Sequence, residues 1–212
     1  MSSAVSAYPG NTPSDNIPIP PTAVLVSDPQ IPARGVYIDG NEVIKVHRHD
    51  IATTRPCGSL QTEFNLLKHC QQIGISGVAQ PLSCDCTEAA TITRYERVDG
   101  EDLQTQSHAF FRTVVMLLQV ACILARLSMH GIAHNDIMPR NVVRTKKGRA
   151  VIIDFEWATI VTRRQAFYCN FFKRLRSHDA GFYGSWIGLC KHIWLAHKPR
   201  CSRDSANATD RA

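Results

Sequence analysis

The chain has 212 residues, 44 % of them hydrophobic and 20 % charged, enough for one domain or a small two-lobed one with a real core, and a composition that fits a soluble globular protein. The net charge of +6 gathers in the last third (Arg163, Arg164, Lys173, Arg174, Arg176, Lys191, Lys198, Arg200 and Arg203). It suits either a solvated face or a surface that meets an acidic protein, RNA or anionic lipid. No secretory signal opens the sequence, and the most apolar run, Thr113 to Ala125, is broken by Gln119, flanked by Arg112 and Arg126, and too short for a membrane span.

The eight cysteines are scattered without a C-x-x-C pair, and Cys84-Asp85-Cys86 on its own makes no zinc half-site. They are expected to be reduced thiols of a cytoplasmic or nuclear protein that does not enter a membrane.

Residues 1–22, rich in Ser, Pro and Asn, read as a flexible tail, and a polar tail is expected over 199–212. Between them strand-like runs come first: AVLVSD from Ala23, GVYID from Gly35 and NEVIKV from Asn41. Asp39-Gly40 between the last two is a hairpin signal.

Lys45 lies inside the third run, where a buried face would demand a partner for its charge. Glu63 follows eighteen residues later in a helical pattern whose Leu60, Phe64 and Leu67 share one face. Taken singly, each has an ordinary reading as an exposed strand Lys and a solvated helix Glu.

Two more strands are predicted at VAQPLSCD and TITRYERV, and Asp99 to Leu103 reads as a turn into a helix. That helix, Ser107 to Met129, is nearly apolar all round and is expected to be buried. Gly131 sits where a left-handed residue would stop it.

The most informative stretch runs from His130 to Ala158. Asn141-Val142-Val143-Arg144-Thr145 and Ala150-Val151-Ile152-Ile153 are short β-branched runs joined by Lys146-Lys147-Gly148, a hairpin pattern. It places Asn141 before its first strand and Asp154 after its second, both near Asp136. Two carboxylates and an amide converging there suit Mg²⁺, which takes one or two carboxylates plus phosphate oxygens, and leave one carboxylate to accept a hydroxyl proton. Ordinary Asx turns are the plainer reading of the same residues.

His134-Asn135-Asp136-Ile137-Met138-Pro139-Arg140-Asn141 resembles the protein-kinase catalytic loop H-R-D-x-x-x-x-N, and Asp154-Phe155-Glu156 resembles D-F-G. The resemblance implies that Asp136 is the catalytic base, that Asn141 and Asp154 are metal ligands, and that His134 braces the loop. It also implies an ion pair of Lys45 with Glu63 that positions the phosphates of ATP. Tyr95 to Val98 stands where a kinase hinge links the lobes, and backbone groups of Glu96 and Val98 would receive adenine.

The departures are equally specific. Asn135 replaces the family's Arg, which argues against an Arg-to-activation-loop phosphate switch. Met138 replaces the Lys of serine/threonine kinases, while Arg140 sits where tyrosine kinases carry an Arg and offers a guanidinium to the transferred group, or is a plain surface Arg. Glu156 replaces Gly, which argues against a flipping D-F-G element. In place of the Gly-rich loop the chain reads Ser27 to Gly35, with two prolines that lack backbone donors. Either nucleotide affinity is low, or Arg34 replaces backbone amides as a phosphate contact.

After Asp154 two amphipathic helices are predicted, about Arg164 to Ser177 and Ser185 to His197, with no A-P-E segment. That economy is similar to atypical kinases of the RIO and KEOPS-kinase type, to fungal kinase-like proteins and to aminoglycoside-phosphotransferase-like kinases. The expectation is therefore an α+β, bilobal protein-kinase-like domain over 23–198. It divides into a small antiparallel sheet lobe (23–95) and a truncated, mostly helical lobe (99–198). The expected activity is ATP- and Mg²⁺-dependent transfer of the γ-phosphoryl group to a hydroxyl of a protein or small molecule. The alternative is a pseudokinase scaffold, supported by Met138, Glu156 and the missing Gly-rich loop.

Overall fold

Strand alternation organises the N-terminal half. In the computed structural model, which describes residues 19–27, 34–49, 60–105, 110–173 and 184–197, β1 (Val24–Leu25), β2 (Arg34–Asp39), β3 (Glu42–Arg48), β4 (Pro81–Cys86) and β5 (Ala90–Glu96) form one antiparallel sheet in the order β1-β2-β3-β5-β4. The expected tails, apart from residues 19–22, and the loop over 28–33 lie outside the described residues. Asp39 pairs with Glu42 across the Gly40-Asn41 turn. Period-two alternation then sends Ile44 and Val46 to the outer face, where they cluster with Ala90, Ile92 and Tyr37, and turns Val43, Lys45 and His47 towards the rest of the chain.

α1 (Leu60–Gln72) closes this inner face, burying Leu60, Glu63, Leu66, Leu67 and Cys70. The segment after it is stitched to the lower lobe by backbone bonds. The Ala79 amide donates to the Ile152 carbonyl at 3.0 Å, and the Ile152 amide to the Gly77 carbonyl at 2.8 Å. One apolar core therefore runs through both lobes, from Leu67 and Tyr95 to Val120, Leu124, Ile152 and Leu189.

The second lobe holds α2 (Phe110–Met129), α3 (Arg163–Phe171) and α4 (Trp186–His197), with short strands β6 (Gly100–Asp102), β7 (Ile132–Ala133), β8 (Val142–Thr145), β9 (Ala150–Ile152) and β10 (Thr159–Ile160). The architecture is the α+β, bilobal, kinase-like one that the motif pattern implies: an antiparallel sheet with one helix, then a mostly helical lobe.

Four local expectations are corrected. Gly100–Asp102 is a strand paired with β8, and the turn comes after it, where the Asp102 carboxylate accepts the amides of Gln104 and Thr105. α2 is not buried all round. Met116, Val120, Leu124 and Leu127 are its core stripe, whereas Leu118 on the other side is 59 % exposed. The helix is also longer than its apolar run and, by length and composition alone, could cross a membrane; its fully buried stripe makes it the central core helix of this lobe. Finally, α3 ends at Phe171, where the Phe172 and Lys173 amides both close on the Tyr168 carbonyl. Its start is fixed by a capping box in which Thr162 and Gln165 exchange side-chain and backbone bonds.

Candidate active site

The loop that carries Asp136 begins at Gly131, whose φ of 73° stops α2; a Cβ there would lie 2.4 Å from the Val161 carbonyl oxygen. His134 follows, fully buried, and burial lowers its pKa to about 4. The imidazole is therefore neutral. Its Nδ1 accepts the Asp136 amide at 3.2 Å, so Nε2 carries the proton and donates to the Ile153 carbonyl at 3.1 Å. Phe155 packs edge-on against the same ring. One side chain thus ties the Asp136 loop to the end of the β8–β9 hairpin.

Asn141 ends a 3₁₀ turn that starts at Pro139. Its amide nitrogen donates to both the carbonyl and Oδ2 of Asp136, each at 2.9 Å. Both partners are acceptors, which settles the amide's orientation and leaves its carbonyl oxygen for another cation or donor. Burial raises the Asp136 pKa, and Asp154 and Glu156 add to the rise, while Arg140 and Asn141 oppose it. The Arg140 guanidinium lies 3.9 Å from Asp136 and is 58 % exposed, so it stands beside the carboxylate without being locked to it.

Lys45 reaches across from β3. Its ammonium donates to both oxygens of Glu63, at 2.9 and 3.0 Å, and to Asp154 Oδ1 at 2.8 Å. Glu63 Oε1 also accepts the Phe155 amide at 3.0 Å, which fastens α1 to the loop after β9. Burial works against the Lys45 charge, but the two carboxylates outweigh it and hold the pKa above the ordinary lysine range. For Asp154 burial pulls upward and Lys45 pulls further downward, so the carboxylate stays ionised. Asp154 sits at φ 63°, a left-handed conformation that a short polar side chain tolerates best.

Lys45, Glu63, Asn141 and Asp154 line one cleft of about 480 Å³ between sheet and lower lobe, with Val36, Val43, Tyr95, Val98 and Val143 as its apolar walls; Asp136 and Arg140 are not among its lining residues. Glu96 and Val98 both lie on it. The Glu96 amide is already committed to the Gln80 carbonyl, whereas among the described residues Val98 makes no backbone bond. Arg34 and Glu156, also on the cleft, form an ion pair across it. Gly35 also lies on the cleft, and a Cβ there would meet the Tyr37 ring at 2.5 Å, so its small size makes room for that ring.

Sequence reasoning missed the amides that hold the loop. Asn170, fully buried on α3, accepts the His134 amide at 2.8 Å and donates to the Ile132 carbonyl at 2.9 Å and Ser128 Oγ at 3.0 Å. Its only trace in the sequence is a lone Asn amid Phe167, Tyr168, Phe171 and Phe172. Each buried group orphaned by its loss costs about 1–3 kcal/mol, so Asn170→Ala is expected to lower stability by about 2–4 kcal/mol, read as a shifted denaturation midpoint with an unchanged m-value.

Asn135, at φ 64°, donates to the Trp157 carbonyl and Thr159 Oγ1, both at 3.0 Å, and accepts from Lys173 at 3.2 Å. A neutral amide therefore makes the link to the following segment. Lys173, expected on a basic outer face, is turned inward to it. Of that face, Arg163 and Arg164 are exposed on α3, and Arg174, Arg176, Lys198, Arg200 and Arg203 lie outside the described residues.

No protein-family profile matches the sequence, and no curated protein does. Among solved structures, a co-crystal of WbdD with the kinase inhibitor LY294002 aligns at 18 % identity and a TM-score of 0.44, covering 61 % of this chain and 32 % of that one. A second, of the bifunctional kinase-methyltransferase WbdD, aligns at 18 % identity and a TM-score of 0.43, over 61 % of this chain and 30 % of that one. The chain thus spans about a third of the length of these two solved chains.

Proposed function

We propose that the protein is an ATP- and Mg²⁺-dependent phosphotransferase that moves the γ-phosphoryl group to a hydroxyl. The observation that carries the reading is one cleft lined by Lys45, Glu63, Asn141 and Asp154, with Asn141 bonded to Asp136 at its edge. Adenine would lie between Val36, Val43 and Val143, with the Val98 backbone as its polar partner. Lys45, held by Glu63, would bind phosphate oxygens. Asp136, its basicity raised by burial, would orient the acceptor hydroxyl and take its proton, and Arg140 would lend charge to the transferred group.

The donor set fits Mg²⁺. Among the described residues no cluster of three or more His, Cys, Asp or Glu side chains is built to hold a metal, so a closed protein cage is absent. The Asn141 carbonyl oxygen and the Asp154 carboxylate would supply the one or two hard ligands that Mg²⁺ combines with phosphate. When bound there, Mg²⁺ would neutralise charge on the phosphates. The acceptor is a protein or small-molecule hydroxyl, and exposed Arg163 and Arg164 are where an acidic protein or RNA partner would be met. A pseudokinase scaffold is the second reading, favoured by the Arg34–Glu156 pair that already fills part of the cleft.

The test is a thermal shift with MgATP on the parent and on Asp154→Asn, which keeps a residue tolerant of φ 63°. Ligand at one hundred times its Kd raises stability by about 2.7 kcal/mol. A Mg²⁺-dependent rise in the parent that is lost in the variant is expected. Absence of any rise at millimolar ATP would favour the scaffold.

A further inference from the structure

Two departures from the kinase pattern meet each other. Arg34 closes the segment that stands in place of the Gly-rich loop, Glu156 replaces the Gly after Asp154-Phe155, and the two side chains pair across the cleft although 122 positions separate them in the chain. In the β2–β3 ladder Val36 faces Lys45 and Arg34 faces His47. Arg34 thus lies two residues, about 7 Å, beyond Lys45 on the same face, on the side away from Val43 and the hinge. A chain of phosphates that started from the hinge and passed Lys45 would next reach this guanidinium. The pair is largely withdrawn from water, with side-chain exposures of 24 % for Arg34 and 16 % for Glu156, so either charge alone there would be costly. Glu156 follows Asp154 by two residues and lines the same cleft as Asp154 and Asn141, which places it at the reacting end.

We propose that Glu156 is an internal occupant of the terminal-phosphate subsite: its carboxylate holds Arg34 where the last phosphate of a nucleoside triphosphate would bind, and that phosphate must displace it. The inference rests on the nucleotide reading above and adds the ligand class that the cleft selects. A guanidinium fork matches phosphate at least as well as carboxylate. Only a ligand whose charge extends past Lys45 recovers the cost of opening the pair; adenosine and AMP gain nothing from it. The pair therefore lowers the apparent affinity for triphosphate by the fraction of molecules in which it is open, and a pair closed in nine molecules of ten costs roughly tenfold.

The experiment measures binding of MgATP, AMP and adenosine by calorimetry to the parent, Glu156→Gln, Glu156→Ala, Arg34→Ala and the Arg34→Ala/Glu156→Gln double variant, with unliganded melting as the check that each is folded. The internal-occupant reading expects both Glu156 variants to bind MgATP about tenfold more tightly than the parent and adenosine as before. It expects Arg34→Ala, which leaves the Glu156 carboxylate alone beside the phosphate, to bind MgATP more weakly than the Glu156 variants do, and the double variant to fall between Arg34→Ala and Glu156→Gln. If the pair were only a strut between lobes, the Glu156 variants would bind MgATP and adenosine more weakly together, and the proposal would be overturned. Equal MgATP affinity in parent and Glu156 variants would also overturn it while leaving the nucleotide reading intact. Failure of all variants to bind any of the three ligands would overturn both.

Discussion

Lys45→Met is expected to destabilise the protein by about 3–5 kcal/mol, because removing one partner of a buried pair strands the other. Glu63 is 2 % exposed and loses the ammonium that satisfies both its oxygens. The Phe155 amide still donates to it. Burial already raises the Glu63 pKa against the pull of Lys45, and without Lys45 the rise is larger.

The sign of the pH dependence follows. A carboxyl whose folded-state pKa lies above its unfolded value contributes stability below the unfolded pKa and loses it as pH rises through the folded pKa. The deficit of Lys45→Met against the parent is therefore expected to be small at about pH 4 and to grow towards neutrality. Adding Glu63→Gln should recover part of it, since a neutral amide needs no counter-charge. Denaturant melts of the three proteins at acidic and neutral pH check this. A deficit independent of pH would mean that packing of the lysine stem, and not the stranded carboxylate, carries the loss.

The elements legible in the sequence are those written as local periodicity or fixed spacing. Alternation around Val43-Ile44-Lys45-Val46 and the Asp39-Gly40 turn signal lead to the β2–β3 hairpin, and the β-branched runs about Lys146-Lys147-Gly148 to β8 and β9. The spacing of Asp136, Asn141 and Asp154 leads to a cleft on which the structure brings Lys45 and Glu63 to bonding distance of each other, and Lys45 to bonding distance of Asp154. What is not legible depends on contacts with no periodic signature. The Asn170 and Asn135 amides act through geometry that only the closed lobe creates. Arg34 stands out as a candidate phosphate contact and Glu156 as an anomaly, but their pairing joins segments from different lobes. Leu118 misleads by type: a leucine in an apolar helix reads as core, yet α2 buries one stripe and leaves this side to solvent, and scattered apolar surface is normal.

Asp136→Asn is expected to reduce phosphoryl transfer by about 10²–10⁴-fold, the usual contribution of a positioned base, while MgATP still binds, because the ligands assigned to metal and phosphate are untouched. An asparagine oxygen can still accept from Asn141, so the loop should hold. The same burial that makes Asp136 a better base than an ordinary carboxylate also makes its ionised form a cost to the fold. Its pKa is raised in the folded state, so its stabilising contribution is complete only below the unfolded carboxylate pKa and disappears as pH rises through the folded one. Replacement by the neutral amide should therefore leave the protein as stable as the parent, or more so, at neutral pH, with the advantage vanishing in acid. Turnover runs the opposite way. The parent's kcat/KM should fall as pH drops through the raised Asp136 pKa, above the ordinary carboxylate range, and the residual activity of the variant should lack that limb. A variant that lost stability along with activity would make Asp136 a structural residue. One that kept the acid limb would assign that limb, and the role of base, to another group.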